Sequence, residues 1–157
     1  MAWELSVGSK SYDLVWGTVL RTTTVLHRVI YTLSKGRLGR RFPGGAQVVW
    51  ITTLGRRSGE WRRTPLLAVP DSGGWGIAGS NAGQEEIPGW VFNVRAHGQG
   101  KIEIDGEVSE AVFTEAQGEE AARIYSGLGD AWSSYRMYQR NIVREIPVFR
   151  VTTLTHP

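Results

Sequence analysis

The sequence predicts an α+β fold in which about six mostly antiparallel strands close into a small barrel, with an N-terminal helix and short peripheral helices. Three observations predict it. Runs rich in β-branched and aromatic residues are separated by tight polar turns, as hairpins require, and their order does not repeat a strand–helix–strand unit. Sustained helical periodicity is confined to the first 35 residues and to short stretches around and after the strands. The length of 157 residues, with 41% apolar residues, 20 glycines and 6 prolines, is that of one folded domain with many turns.

Over residues 12–35, Tyr12, Val15, Trp16, Val19, Leu26, Ile30 and Leu33 recur at three- and four-residue spacing, and Ser11 can cap the start. Arg21, Arg28 and Lys35 fall seven residues apart, so they lie near one line of this helix. Such a basic amphipathic helix either packs across the barrel or lies on an anionic membrane surface. Residues 36–45 break the period with glycine and proline and add three cations, a basic connecting loop. The expected division is a helix and connection over 1–36 and a barrel domain over 37–157.

Residues 47–53 and 62–69 form the first hairpin, turning at Arg57-Ser58-Gly59. A third strand over 75–80 follows the Asp71-Ser72-Gly73-Gly74 turn. Residues 87–96 read as a short helix with Pro88 in its first turn. Strands over 101–104 and 108–114 turn at Asp105-Gly106. Residues 119–126 read as a helix ended by glycines, 134–141 as another turn or two, and 148–152 as the last strand.

Several functions lack their residues. Without cysteine there are no disulfides, iron–sulfur clusters or thiolate zinc sites, and His27, His97 and His156 are too dispersed to hold a metal. No signal-peptide pattern or long uncharged apolar run is present, so the expected compartment is the cytoplasm. Gly74-Trp75-Gly76-Ile77-Ala78-Gly79 matches GxGxxG but coincides with a strand, and no acid stands about 20 residues on. Gly55-Arg56-Arg57-Ser58-Gly59 lacks the Gly-Lys pair of a Walker loop, and no serine sits in a GxSxG elbow.

Charge is unevenly spread: residues 1–66 carry 11 Lys/Arg against 3 Asp/Glu, a net +8, and the remainder 7 against 12, a net −5. A basic half of this kind suits nucleic acid, an anionic membrane or a polyanionic small molecule, and no nucleic-acid recognition module accompanies it. Arg56, Arg57, Arg62 and Arg63 with Ser58 crowd one hairpin tip. A rigid guanidinium fork there suits phosphate or carboxylate capture, each charge-assisted bond contributing about 1.5–3 kcal/mol when partly desolvated.

Residues 52–66, then Ala78-Gly79-Ser80-Asn81-Ala82-Gly83 and Pro88-Gly89-Trp90-Val91-Phe92-Asn93-Val94-Arg95-Ala96, together with residues 132–139 and 146–149, resemble the deazaflavin (F-420)-dependent nitroreductase family of actinobacteria. The likeness runs from about Arg37 to the C-terminus. It implies a split β-barrel of the FMN-binding kind that holds coenzyme F-420 and passes hydride to a quinone, nitroaromatic or activated enone. By position it implies that Arg56, Arg57, Ser58, Arg62 and Arg63 face the phosphate and oligoglutamate tail, with Thr64, Pro65 and Leu66 continuing along the deazaflavin. Ala78, Gly79, Ser80 and Asn81 would pass close to the ring, and Gly89, Trp90, Val91, Phe92 and Asn93 would complete the cofactor wall. Trp132, Tyr135 and Tyr138 would line the acceptor pocket, Tyr135 also reaching the cofactor, with Tyr135, Tyr138 or Ser80 donating a proton or polarising the acceptor.

Two positions depart from the family. Asn81 stands where some members carry a lysine beside the ring, and Trp132 where the nitroreductase prototype has a tyrosine. Two other readings stand beside this one: an FMN-dependent split-barrel reductase, less suited to four tip arginines, and a carrier that binds F-420 without turnover.

Overall fold

Residues 47–154 are described by a computed structural model. The helix expected over 12–35, the basic loop over 36–45 and the division near residue 36 lie outside them. Strand β1 (Gln47–Leu54) pairs with β2 (Trp61–Asp71), β2 with β3 (Gly74–Ala78), and β3 with β6 (Val148–Thr153). Strand β6 pairs with β5 (Glu107–Glu115), β5 with β4 (Gln99–Ile104), and β4 returns to β1, closing the barrel with every pairing antiparallel.

Two of the hairpins close with two-residue turns whose conformations the sequence dictates. Ser72 (φ 38°) and Gly73 (φ 82°) join β2 to β3, and Asp105 (φ 52°) and Gly106 (φ 89°) join β4 to β5. Both central residues take positive φ, the turn whose twist matches that of the flanking strands; Gly73, Asp105 and Gly106 adopt it at low cost, while Ser72 takes it against its own preference.

Strand alternation divides the apolar residues between two cores. Val49, Ile51, Ala68, Ile77, Ile102, Phe113, Phe149 and Val151 fill the barrel. Helix α1 (Gly89–His97) adds Trp90, Val91 and Val94, with Trp90 edge-on to Phe149 at 5.4 Å between ring centres. Outside the barrel, helices α2 (Gly118–Ala131) and α3 (Tyr135–Asn141) bury a second cluster against the outward Leu67, Ala78 and Val148. Ile124 and Leu128 lie at its centre, each contributing about 1.5–3 kcal/mol by burial.

Three boundaries differ from expectation. Helix α2 runs through Gly127 and Gly129 to Ala131, because the fully buried Leu128 between them carries it onward while Gly127 meets Val69 and Gly129 meets Arg136. Pro88 is not in the first turn of α1; it is the extended residue before it (φ −65°, ψ 143°). Strand β3 ends at Ala78, so Ser80 lies in the following turn. The GxGxxG glycines serve packing: a Cβ on Gly76 would lie 2.4 Å from Ile124 Cγ2, and one on Gly79 would lie 2.6 Å from Val91 Cγ2.

Candidate cofactor and acceptor site

The β1–β2 hairpin tip projects from the barrel rim beside α1 and is held there by one buried side chain. Asn93 Oδ1 accepts the Arg56 N–H at 3.1 Å, and Asn93 Nδ2 donates to Thr53 Oγ1 at 3.3 Å. The Arg56 guanidinium lies over the Phe92 ring, 4.6 Å from its centre. Arg62 turns back across the tip, donating to Glu60 at 3.0 Å and to Ser58 Oγ at 3.4 Å. Arg56, Arg57 and Arg62 are exposed, and the hairpin tip over residues 55–62 carries one carboxylate, Glu60, against these three cations, so that segment is net positive.

Arg62 and Arg63 are neighbours on β2 and therefore point to opposite faces. Arg62 sits across from the inward Thr53, whereas Arg63 sits across from Thr52 on the outer face. There Arg63 bonds Glu103 and stacks on Trp50 at 4.3 Å. The same alternation places Thr64 and Leu66 toward the interior and Pro65 outward. The structure thus groups three of the four arginines at the tip and sets the fourth on the barrel flank.

The second part of the site forms where β3 ends. Gly79 packs on Val91 and Pro88 and donates its N–H to the Pro147 carbonyl at 2.8 Å. Ser80 follows in right-handed backbone, then Asn81 (φ 48°), Ala82 (φ 52°) and Gly83 (φ 77°) all take left-handed conformations in a single 3-10 turn. Gly83 is constrained twice, since an added Cβ would also lie 2.9 Å from Tyr138 Cδ1. This turn packs directly against α3 at Tyr138.

Across it stand three tyrosines. Tyr135 is buried, and its ring lies 5.8 Å from Tyr125 and 5.3 Å from Tyr138. Ser80 is buried too, and its side chain hydrogen-bonds with the Tyr135 phenol. Burial pushes the Tyr135 phenol well above the ordinary tyrosine value; the Ser80 contact opposes this, and the neighbouring tyrosines add to it. Tyr125 donates to the Tyr135 carbonyl at 2.7 Å, and burial pushes its own phenol up to about 12. Tyr135 is therefore a neutral hydroxyl near neutrality, able to donate a hydrogen bond or orient a polar acceptor atom.

The remaining expected residues divide by burial. Trp90 and Val91 belong to the barrel core, and Ala78 to the second core. Trp132 is half-buried beside Tyr135, and its carbonyl accepts the Tyr135 N–H at 3.0 Å. Gly89 is exposed at the start of α1 with open space where a Cβ would stand. Helix α1 joins the two parts: Pro88, just ahead of it, touches Gly79, and Asn93 at its middle, about 6 Å beyond Gly89 at 1.5 Å per residue, grips the tip. Two contributors escaped the sequence reading, Thr53 and Arg144, because a single Thr or Arg carries no spacing signal and both act through partners distant in sequence. Among the described residues, no three His, Cys, Asp or Glu side chains come together as a metal site requires.

The family model described as F420H(2)-dependent quinone reductase matches residues 23–153. An F420H(2)-dependent quinone reductase of Mycobacterium tuberculosis is 28% identical over 130 residues, spanning 81% of this chain and 87% of that protein. The solved structure of an F420-H2 dependent reductase, FDR-A, superposes with a TM-score of 0.62 at 32% identity, over 66% of this chain and 92% of its own. A second solved structure, a domain-swapped dimer, superposes with a TM-score of 0.65 at 28% identity, over 86% of this chain and 98% of its own.

Proposed function

The chain belongs to the F420H(2)-dependent quinone reductase family and is an F-420-dependent oxidoreductase, and from that premise we propose that it reduces a quinone held between the Ser80 turn and the α3 tyrosines. When bound, reduced F-420 supplies the hydride. Nitroaromatics and activated enones are electron-poor in the same way and fall within the same proposal.

The observation that carries this reading is the pairing of a cationic tip, held at the middle of α1, with a neutral cluster of tyrosines beside the turn that follows β3. The donor set fits the coenzyme: exposed guanidinium groups match a phosphate and polyglutamate tail. Arg56, Arg57 and Arg62 with Ser58 would hold the tail, whereas Arg63, its charge matched by Glu103, keeps to the barrel flank. Thr64 and Leu66 from β2, Gly79, Ser80 and Asn81 from the turn, and Gly89 and Phe92 from α1 would border the ring. Trp90, Val91 and Asn93 would support that border from behind.

The chain's own residues then do the following. The Ser80 and Tyr135 hydroxyls orient the acceptor oxygen, and the neutral Tyr135 phenol donates a hydrogen bond as charge develops there. Tyr138 and Trp132 present aromatic faces to a flat acceptor and exclude water.

The test mixes the purified chain with reduced F-420 and menadione and follows the coenzyme's absorbance. Turnover above the uncatalysed rate is expected, and Arg57→Ala/Arg62→Ala should weaken F-420 binding about tenfold per arginine at low salt, less at high salt. Tight uptake of FMN with no response to F-420 would make this an FMN reductase; F-420 binding without turnover would make it a carrier.

Residues 12–35, ahead of a coenzyme-holding domain over 37–157, are proposed to rest on the anionic membrane in which lipid quinones dissolve. Among the described residues, no helix is long and apolar enough to cross a membrane. Liposome flotation of the intact chain against one beginning at Gly36 tests this, and equal recovery of both in the soluble fraction refutes it.

A further inference from the structure

Arg144 stands between α3 and β6, in a stretch to which no role has been given. Its guanidinium is a hub of main-chain bonds. Nε donates to the Gln84 carbonyl at 3.1 Å, and Nη2 donates to the same oxygen at 2.8 Å, to Ser80 O at 3.1 Å and to Glu86 O at 3.3 Å. Nη1 reaches Glu145 O at 3.3 Å. These acceptors are all backbone carbonyls, and three of the four belong to residues 80–86.

That segment is the turn in which Asn81, Ala82 and Gly83 are left-handed in succession, two of them carrying a Cβ that disfavours the conformation. Local bonds alone are few: Gly83 N–H to Ser80 O at 2.9 Å, Gln84 N–H to Asn81 O at 3.2 Å, and Asn81 Nδ2 to Glu86 O at 3.0 Å. Around Arg144 the neighbouring chain adds parallel ties. Val143 N–H donates to Glu85 Oε1 at 2.8 Å, Gln139 Nε2 donates to Arg144 O at 2.9 Å, and Ile146 N–H donates to Gln139 Oε1 at 3.1 Å. Gln139 lies within α3, so the chain of bonds runs from the helix bearing Tyr135 and Tyr138 to the turn bearing Ser80.

Resting on the functional reading above, we propose that Arg144 is the positioning residue of the acceptor site, its guanidinium clasping the Ser80–Glu86 turn to α3 and so setting the separation between the Ser80 hydroxyl and the Tyr135 and Tyr138 rings. Only arginine serves this role, because a planar fork of five donors meets carbonyls in several directions at once, whereas a lysine ammonium is a compact point charge on a flexible stem. Burial lowers the Arg144 pKa from its ordinary value, partly offset by Glu85, and the group stays charged. The clasp touches neither the hairpin tip nor its arginines, so it acts on the acceptor and leaves tail binding alone.

The test uses the full chain with Arg144→Lys and Arg144→Gln and reads three quantities: hydrogen–deuterium exchange, F-420 affinity by fluorescence, and kcat and KM for menadione. Exchange over residues 80–86 should quicken at least tenfold while the β1–β2 hairpin is unchanged. F-420 affinity, set chiefly by the tip arginines, should fall less than kcat/KM, and kcat/KM for menadione should fall at least tenfold in both variants, lysine giving little rescue. If the glutamine variant does not fold, Arg144→Lys decides, and Ala82→Gly, which relieves a left-handed residue, should restore part of its kcat/KM. Unchanged exchange over 80–86, or kcat/KM within twofold of wild type in a folded variant, overturns the clasp. Failure of the wild-type chain to oxidise reduced F-420 with menadione overturns the functional reading instead, and the exchange measurement still judges the clasp.

Discussion

Replacing Asn93 by alanine should cost more stability than its size suggests, since the side chain bridges two elements in a buried place. Asn93 is 8% exposed and Thr53 1%, and the Asn93 amide serves both the Thr53 hydroxyl and the Arg56 N–H. Truncation strands the Thr53 hydroxyl away from water, which costs about 1–3 kcal/mol, while the Arg56 N–H at the exposed tip recovers a solvent partner at little cost. With lost packing, about 2–3 kcal/mol is expected; at roughly 2–4 °C per kcal/mol for a chain of this size, the melting midpoint should fall about 4–12 °C. Urea titration at fixed slope gives the free energy. Thr53→Val in the Asn93→Ala background should remove the stranded hydroxyl, so the two losses should fall short of additivity by about 1 kcal/mol. A loss below about 0.5 kcal/mol, or strict additivity, refutes the bridge and with it the account of how the tip is aimed.

Gly76→Ala should destabilise by about 1–3 kcal/mol, because its Cβ would stand 2.4 Å from Ile124 Cγ2, and Ile124→Ala in the same chain should relieve the overlap, as paired melts would reveal. With the Tyr135 phenol raised by burial, the pH dependence of kcat should lack an alkaline limb from this group up to about pH 10, and an ionisation near pH 8 that vanishes in Tyr135→Phe would contradict that placement. The stability linkage has the same sign: folded values above the unfolded value of about 10 mean that the Tyr125 and Tyr135 contribution is intact below pH 10 and lost above it, through about 12 for Tyr125 and higher still for Tyr135, the onset of which urea midpoints at pH 9, 10 and 11 would trace.

The strands were legible because their signals are local. Val48, Val49, Ile51 and Thr52 announce β1, and Asp105-Gly106 marks the β4–β5 turn through a backbone preference of those two residues. The arginine tip was legible for the same reason, as a cluster within one turn. What could not be read is what depends on the far side of a contact. Gly127 and Gly129 look like a helix end until Leu128 is seen to lie fully buried, at 0% exposure. Arg62 and Arg63 look equivalent until the register sets one beside Thr53 and the other beside Thr52. Trp90 and Val91 sit inside a stretch whose resemblance implied a cofactor wall, yet their side chains complete the barrel core, with Gly89 and Phe92 left at its edge.

Both ends of the site are loops, and both are held by a distant side chain that grips main-chain atoms. Asn93 takes the Arg56 N–H, and Arg144 takes the carbonyls of Ser80, Gln84 and Glu86. Gripping the backbone fixes where a loop runs without engaging the side chains that the loop presents, so the Arg56 guanidinium stays exposed at the tip and the Ser80 hydroxyl is left to Tyr135. The arrangement also separates two physical demands. The tip gains affinity for a polyanion from exposed cations, which salt screens, whereas the ring end relies on buried neutral hydroxyls, which salt does not reach. Raising ionic strength should therefore raise the KM for reduced F-420 while leaving kcat nearly constant. A parallel fall in kcat would mean that charge from the tip acts at the reacting centre, and that the tip and the Ser80 turn are not independent.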